Sequence, residues 1–425
     1  MTKKKTEISL WRALIDARGN PAACMWTEPL WGIPFHLYAP FASVYMLALG
    51  VTEATIGLIA SVGIGLQVIS ALVGGPLTDK LGRKNSTFIF DCISWSLPAL
   101  LWAFAQDATW FFAAAVVNSA MRITATSWTC LLIEDAPPSR LVQYWAWVNI
   151  AGILVGLVAP LTGLFIERWE LIPTMRGIYI FTFISMTAKF VILYFTSTET
   201  KVGVQRMAET KGRSLLALIG EYGSIVRLVL KNKNTLVGIA LMAVFTIYTT
   251  VRGTFFAVLL TEGLGFAARE IGWFPAMRSV VMLVFYFTIL PRLNHQRQTG
   301  PIVTGMLVTI IAAILLVVSP ARSYAVVTVS TILEASGAAL IVPFLETLIY
   351  RVVDSRERAR ILSIANVLML AVATPFGWIA GLLAEIDATM PFVLLSIVVT
   401  TGMIVLLKGG PERRLDAVAS STSAE

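Results

Sequence analysis

The sequence predicts an all-α polytopic membrane protein with 12 transmembrane helices in two pseudo-symmetric six-helix halves. Three observations carry this. The 425 residues are 57% hydrophobic and only 14% charged, with a mean hydropathy of +0.77, whereas soluble domains are about 25% charged. Long, nearly uncharged runs recur from Met25 to Leu407, each close to the ~20 apolar residues that a helix needs to cross a bilayer. The chain also repeats itself, as shown below. A membrane β-barrel would need alternating segments of ~10 residues, and none is visible.

Residues 1–20, "MTKKKTEISLWRALIDARGN", begin basic but hold no apolar core before Pro21, so they do not read as a signal peptide. Ile8, Trp11, Leu14 and Ile15 share one helical face, which predicts an amphipathic segment on the cytoplasmic membrane surface. Six apolar runs follow within a first half, 21–196, at 23–48, 54–77, 86–106, 108–133, 142–166 and 173–196. Six more fill a second half, 234–407, at 234–260, 268–291, 300–319, 323–349, 361–384 and 388–407.

The central stretch, 197–233, starts with the polar "STETKVGVQRMAETKGRS". From Leu215 to Lys233 it becomes apolar on one side, interrupted by Glu221 and Arg227. It is read as an interfacial helix rather than a thirteenth span. Charge bias decides between the two. With 12 spans and a cytoplasmic N-terminus, 25 of the 33 Lys and Arg fall on the cytoplasmic side and four, Arg168, Arg176, Arg269 and Arg322, fall outside. Such asymmetry is the expected orientation signal, and a thirteenth span would place "RVVDSRERAR" on the wrong side. Both termini, including the tail 408–425, are thus expected in the cytoplasm, in a multi-pass protein of the cytoplasmic membrane. The net charge of +8 then reads as topology and not as a nucleic-acid patch.

"LLIEDAPPSRLVQYWAWVNIAGILVGLVAPLTG" follows the fourth run and "TLIYRVVDSRERARILSIANVLMLAVATPFGWIAG" the tenth. Each has a charged loop, then Asn149 or Asn366, then Pro160 or Pro375, then glycines. Repeated halves of this kind suit a transporter. Enzymatic classes find no support. There is no P-loop, no G-x-S-x-G and no His/Cys/Asp metal spacing. The three cysteines, Cys24, Cys92 and Cys130, are read as small buried hydrophobes. No cofactor or metal is expected, and without an ATP site transport would draw on an ion or solute gradient.

"GGPLTDKLGRKN", Gly74–Asn85, joins the second and third runs. Asp79 lies near a helix end and can pair with Arg83, four residues on. Gly75, Asp79, Lys80, Gly82, Arg83 and Lys84 match position for position the loop signature G-x-x-x-D-[RK]-x-G-[RK]-[RK], which resembles that of the major facilitator superfamily. The resemblance extends from about Pro21 to Leu407. It implies alternating access, with this cluster latching the halves at the cytoplasmic face and Glu134 and Asp135 as its acidic partners. Lys80, Arg83 and Lys84 can alternatively be plain topology anchors. The corresponding loop of the second half, "LPRLNHQRQT", lacks the Gly and Asp pattern. Two weaker likenesses are Arg122 in "NSAMRITATSW", resembling the family's fourth-span arginine without its following glycine, and "GILVGLVAPLTG", resembling the fifth-span antiporter motif with Ala159 in place of a glycine.

Charge deep in a bilayer is costly and usually functional. Glu28 and His36 fall in the first run, Arg122 in the fourth, Arg252 in the seventh, Arg278 in the eighth, and Glu334 and Glu346 in the tenth. The family resemblance implies that the first, fourth, seventh and tenth spans line a central cavity. These spans carry six of the seven residues, which reads as a polar cavity for solute and protons. Lys189 and Asp91 are close enough to the inner surface to snorkel. Trp26, Trp31, Tyr38, Tyr45, Trp128 and Tyr248 either line the cavity or belong to interfacial belts. The resulting expectation is a monomeric, proton-coupled secondary transporter of a small solute, with the fifth-span motif favouring efflux. The alternatives are an uptake symporter or facilitator, and a non-transporting receptor or lipid-handling protein.

Overall fold

The computed structural model describes residues 14–137, 140–220, 229, 232–293, 298–352 and 358–409. Among the described residues the chain is helical, with no strand. Ten helices are long and apolar enough to cross a membrane. Before the central stretch these are Glu53–Leu81, Arg83–Ala103, Leu141–Trp169 and Leu171–Thr196. After it come Lys233–Gly263, Ala268–Arg292, Thr299–Val317, Tyr324–Ile349, Ile361–Ile386 and Met390–Gly409.

The other two expected spans are broken helices. The run 23–48 is built from Gly19–Tyr38, a 3-10 turn at Ala39–Phe41 and Ala42–Ala48, with Pro29 and Pro34 inside the first piece and Pro40 in the turn. Each proline lacks an N–H and crowds the preceding turn. The run 108–133 divides into Ala108–Asn118 and Met121–Ile133. Ten of the 12 expected spans are thus seen among the described residues as single long helical segments, and the remaining two are read from the sequence.

Helix starts follow local capping chemistry. Thr52 accepts from the Thr55 N–H at 3.3 Å, Asp107 from Thr109 at 2.8 Å, Thr200 from Gly203 at 2.9 Å, and Asn232 from Asn234 and Thr235 at 3.0 and 3.2 Å. Each satisfies first-turn donors that the helix leaves open. The stretch read as a polar loop contains a helix, Lys201–Thr210, followed by Leu215–Gly220. Most of the expected interfacial helix lies outside the described residues, as do residues 1–13, the loop 294–297 and the tail from 410.

Helices on either side of the central stretch meet closely at the ends opposite the "GGPLTDKLGRKN" loop. Glu53–Leu81 packs along Arg358–Ile386 through glycines. A Cβ added at Gly57 would collide with the Gly377 carbonyl and come within 2.8 Å of the Gly381 Cα; one at Gly381 would stand 2.7 Å from the Glu53 carbonyl. Small residues allow such backbone approach between membrane helices. The Ser61 hydroxyl accepts from the Trp378 N–H at 2.7 Å. A Cβ at Gly272 would reach the Ala159 carbonyl at 2.5 Å. At the same end Ser43 donates to the Thr254 carbonyl at 2.5 Å, Glu385 accepts from the Ala54 N–H at 3.3 Å, and Arg269 pairs with Glu167 at 3.0 Å.

Candidate functional site

At the loop end, Arg83 is 5% exposed and organises the charges. Its Nη1 donates to Asp79 at 2.9 Å, while Nε and Nη2 form a fork on Glu134 at 3.1 and 3.0 Å. The planar guanidinium suits that bidentate geometry. The other Asp79 oxygen accepts from Arg206 at 2.8 Å, on the helix Lys201–Thr210. Glu199 accepts from the N–H groups of Arg83 and Lys84 at 2.9 and 3.0 Å, two open donors at a helix N-terminus where negative charge is favoured. Gly82 turns the chain at φ +84°, and a Cβ there would run into the Glu199 carboxylate. Thr200 donates to Glu134.

Of the remaining motif residues, Lys80 donates to the Arg213 carbonyl at 2.5 Å, and Lys84 lies 4.3 Å over the Tyr194 ring. Gly75 sits half-buried inside the helix Glu53–Leu81 and not at its end. Asp135 does not join Arg83; it accepts from the Lys201 N–H at 3.5 Å. The partners named here all belong to the first six runs or the central stretch. Nearby, the Gln205 amide and the Arg206 guanidinium hold the Glu209 carboxyl below its ordinary range.

Two further charge clusters are buried among the spans. Glu334, 4% exposed, accepts through one oxygen from Arg278 at 3.0 Å and meets Arg252 at 3.1 Å. Arg252 also stands 4.6 Å over the Phe256 ring. The space between Tyr248, Arg252, Glu334 and Phe392 is only about 10 Å³, so these groups are packed together and do not line an open chamber. In the other cluster Lys189 pairs with Glu28 at 2.9 Å and lies within 5.8 Å of the Trp31 and Trp128 rings, a cation–π setting. Lys189 is 4% exposed and Asp91 5%, so neither snorkels. Packing between the first, third and sixth runs holds them inside. Asp91 accepts from Thr124 at 2.7 Å and is close enough to interact electrostatically with Lys189 and Glu28.

A cavity of about 580 Å³ lies between the helices before and after the central stretch. Phe35, Tyr38, Trp102, Phe111 and Tyr179 wall one side, and Thr246, Thr249, Thr250 and Leu370 the other. The rings pack on one another, Tyr38–Tyr179 at 5.2 Å and Trp102–Tyr179 at 5.4 Å between centroids. Arg122 enters the cavity, its Nε donating to the Gln67 side-chain oxygen at 2.8 Å. Of the seven charged residues expected to line a cavity, Arg122 alone lines this one. Glu28, Arg252, Arg278 and Glu334 are in the clusters above. His36 faces the Phe35 ring edge-on at 5.5 Å, and Glu346 is exposed. Among the expected aromatics Tyr38 lines the cavity, whereas Trp26 is 61% exposed and Tyr45 fully buried. A larger apolar groove of about 780 Å³, between Ile33, Leu161, Phe165, Trp169 and Phe181, is bordered by exposed hydrophobic side chains.

Sequence reasoning missed Gln67, Glu199 and Arg206. Gln67 had a signal, a lone amide within the apolar run 54–77. Glu199 and Arg206 had none, since their partners are 116 and 127 residues away.

The sequence profile of the Major Facilitator Superfamily matches residues 32–286. No curated protein matches the chain. Among solved structures, a mutant of the nucleoside transporter NupG superposes with a TM-score of 0.72 at 14% identity, covering 92% of this chain and 100% of its own. A POT family transporter in complex with a thioalcohol-conjugated peptide gives 0.70 at 13% identity, covering 94% and 99%. The human organic anion transporter MFSD10 gives 0.66 at 15% identity, covering 93% and 99%. These likenesses share the fold of membrane transporters, and with the profile spanning more than half of its residues, this chain belongs to the major facilitator superfamily.

Proposed function

We propose that the protein is a proton-coupled secondary transporter that moves a small solute across the cytoplasmic membrane by alternating access. The observation that carries this reading is the 580 Å³ cavity shared by helices on both sides of the central stretch. Glycine-mediated packing and the Ser43–Thr254 contact close the end opposite the loop. In this reading residues 21–196 and 234–407 act as two rocking halves, with 1–20, 197–233 and 408–425 in the cytoplasm. The loop end faces the cytoplasm, and the protein works as a monomer. The charge bias of the loops supports the orientation, and the partial fifth-span motif favours efflux.

Charge counting favours one of the two buried clusters as the proton site in this reading. With all groups ionised, Arg252, Arg278 and Glu334 sum to +1, and protonating Glu334 would raise that to +2 in a buried site. Glu28, Asp91 and Lys189 sum to −1, and one added proton makes them neutral. Desolvation favours the neutral arrangement, so Asp91 or Glu28 is the coupling carboxylate, while Glu334 organises the second half. The test compares counterflow with pH-driven flux in the same proteoliposomes. Asp91→Asn and Glu28→Gln are made singly, each leaving the cluster at net zero, and at least one of them is expected to abolish pH-driven accumulation and keep solute exchange. Undiminished accumulation in both single variants would remove the cluster from the mechanism.

A further inference from the structure

We infer that the cavity takes a small organic anion with an aromatic body, its anionic group meeting Arg122 and its ring lying among Phe35, Tyr38, Trp102 and Phe111. The inference rests on the transporter reading for its place in a transport cycle, but its physical basis is separate. Four cations fall deep within the spans, Arg122, Lys189, Arg252 and Arg278, while Arg176 and Arg269 lie at the outer ends of theirs. Lys189, Arg252 and Arg278 each meet a carboxylate within 3.1 Å. Arg122 meets the neutral Gln67 at 2.8 Å, and no Asp or Glu is among the residues lining the cavity. The chamber thus holds one full positive charge with no built-in counterion among the described residues. A cation in such surroundings favours an anion that can replace lost water. A cationic solute would find repulsion and no acceptor carboxylate.

The walls specify the remainder of the ligand. Five aromatic side chains converge on one side while the opposite side offers threonine hydroxyls and Leu370. Flat apolar bodies gain from ring-to-ring contact beyond their buried area. A volume of about 580 Å³ lies within the usual range of small-molecule sites, roughly 300–1,000 Å³. The site thus combines one guanidinium, an aromatic wall and neutral polar groups opposite, which is the complement of an aryl carboxylate or a similar monoanion.

Gln67 supplies the decisive variant. Gln67→Glu is nearly isosteric and places a carboxylate against the Arg122 guanidinium, so it preserves the contact while consuming the charge. The probes are 1-naphthoate, neutral 1-naphthol and 1-naphthylmethylammonium, titrated calorimetrically into the full chain in detergent. The expected order is naphthoate tighter than naphthol by at least tenfold, with the ammonium weakest. Gln67→Glu and Arg122→Gln should each weaken naphthoate at least tenfold, and Arg122→Lys by less. Equal binding of the three probes, or naphthoate affinity within twofold of wild type in Gln67→Glu, overturns the inference. Flux assays separate this outcome from the transporter reading. Charge-dependent naphthoate binding with no solute flux leaves the inference standing and removes the transport role. Flux of a cationic solute without naphthoate binding does the reverse.

Discussion

Glu334 shows how one residue can hold a buried cluster. It sits between two guanidiniums at 3.0 and 3.1 Å and is itself 4% exposed. Removing one member of a buried pair typically costs about 3–5 kcal/mol, because the partner is left uncompensated. Glu334→Gln strands two partners, whereas Arg278→Gln leaves the Arg252–Glu334 pair intact. Thermal unfolding in detergent should therefore fall further for Glu334→Gln than for Arg278→Gln. Equal losses would mean that Glu334 is not the hub. The sequence placed Glu334 in the tenth run and Arg278 in the eighth. It left open whether they pair, and Arg252 was not expected to complete the set.

The helix Lys201–Thr210 gives the loop motif partners that the spacing of charges did not announce. Asp79 and Arg83 are four residues apart across the turn at Gly82, and their pairing was legible from that spacing. Arg206 and Glu199 arrive from the far side of the third to sixth runs. The Arg206–Asp79 pair is part-exposed, with side-chain accessibilities of 45% and 20%, and such pairs contribute about 0.2–1 kcal/mol. Glu199, which caps a helix N-terminus with charge, should contribute about 1 kcal/mol. Trypsin cleavage after Lys211 in detergent should accelerate modestly for Arg206→Ala and several-fold more for Arg206→Glu, which sets two carboxylates against each other. Unchanged cleavage in Arg206→Glu would show that the helix docks through other contacts. Gly82→Ala should destabilise this junction, since φ +84° strains an alanine and its Cβ meets Glu199. A thermal midpoint equal to wild type would refute that.

At the scale of the molecule, the described contacts define one closed end. Ser43 with Thr254, Ala54 with Glu385, and Glu167 with Arg269 bridge the two sets of helices there. An alternating mechanism requires that end to open, because two nearly balanced states must interconvert. Cysteines at Ser43 and Thr254, in a chain whose Cys24, Cys92 and Cys130 are replaced by alanine, should cross-link with a short thiol reagent and halt flux. Cleavage of a reducible linker should restore it. Full flux through the cross-linked protein would exclude opening at this end. Gly57→Leu should separate the helices it now joins and raise the labelling of Ser43→Cys from that side several-fold. Unaltered labelling would show that the contact does not govern closure.

What the sequence by itself determined was residence in a membrane, helical structure, the loop motif and the span in which each buried charge falls. These follow from local composition and from the constant rise of a helix, and none needs knowledge of neighbours. What only the tertiary structure decided was which charges meet. Lys189 finds Glu28 across 161 residues, Arg122 finds Gln67 across 55, and Arg278 finds Glu334 across 56. Depth is read along one helix axis, whereas pairing depends on how each helix is rotated about its axis and which helix lies beside it. Packing of many apolar side chains sets both, so charges on different spans can pair, as Arg278 and Glu334 do, or stand in different surroundings, as His36 and Arg122 do.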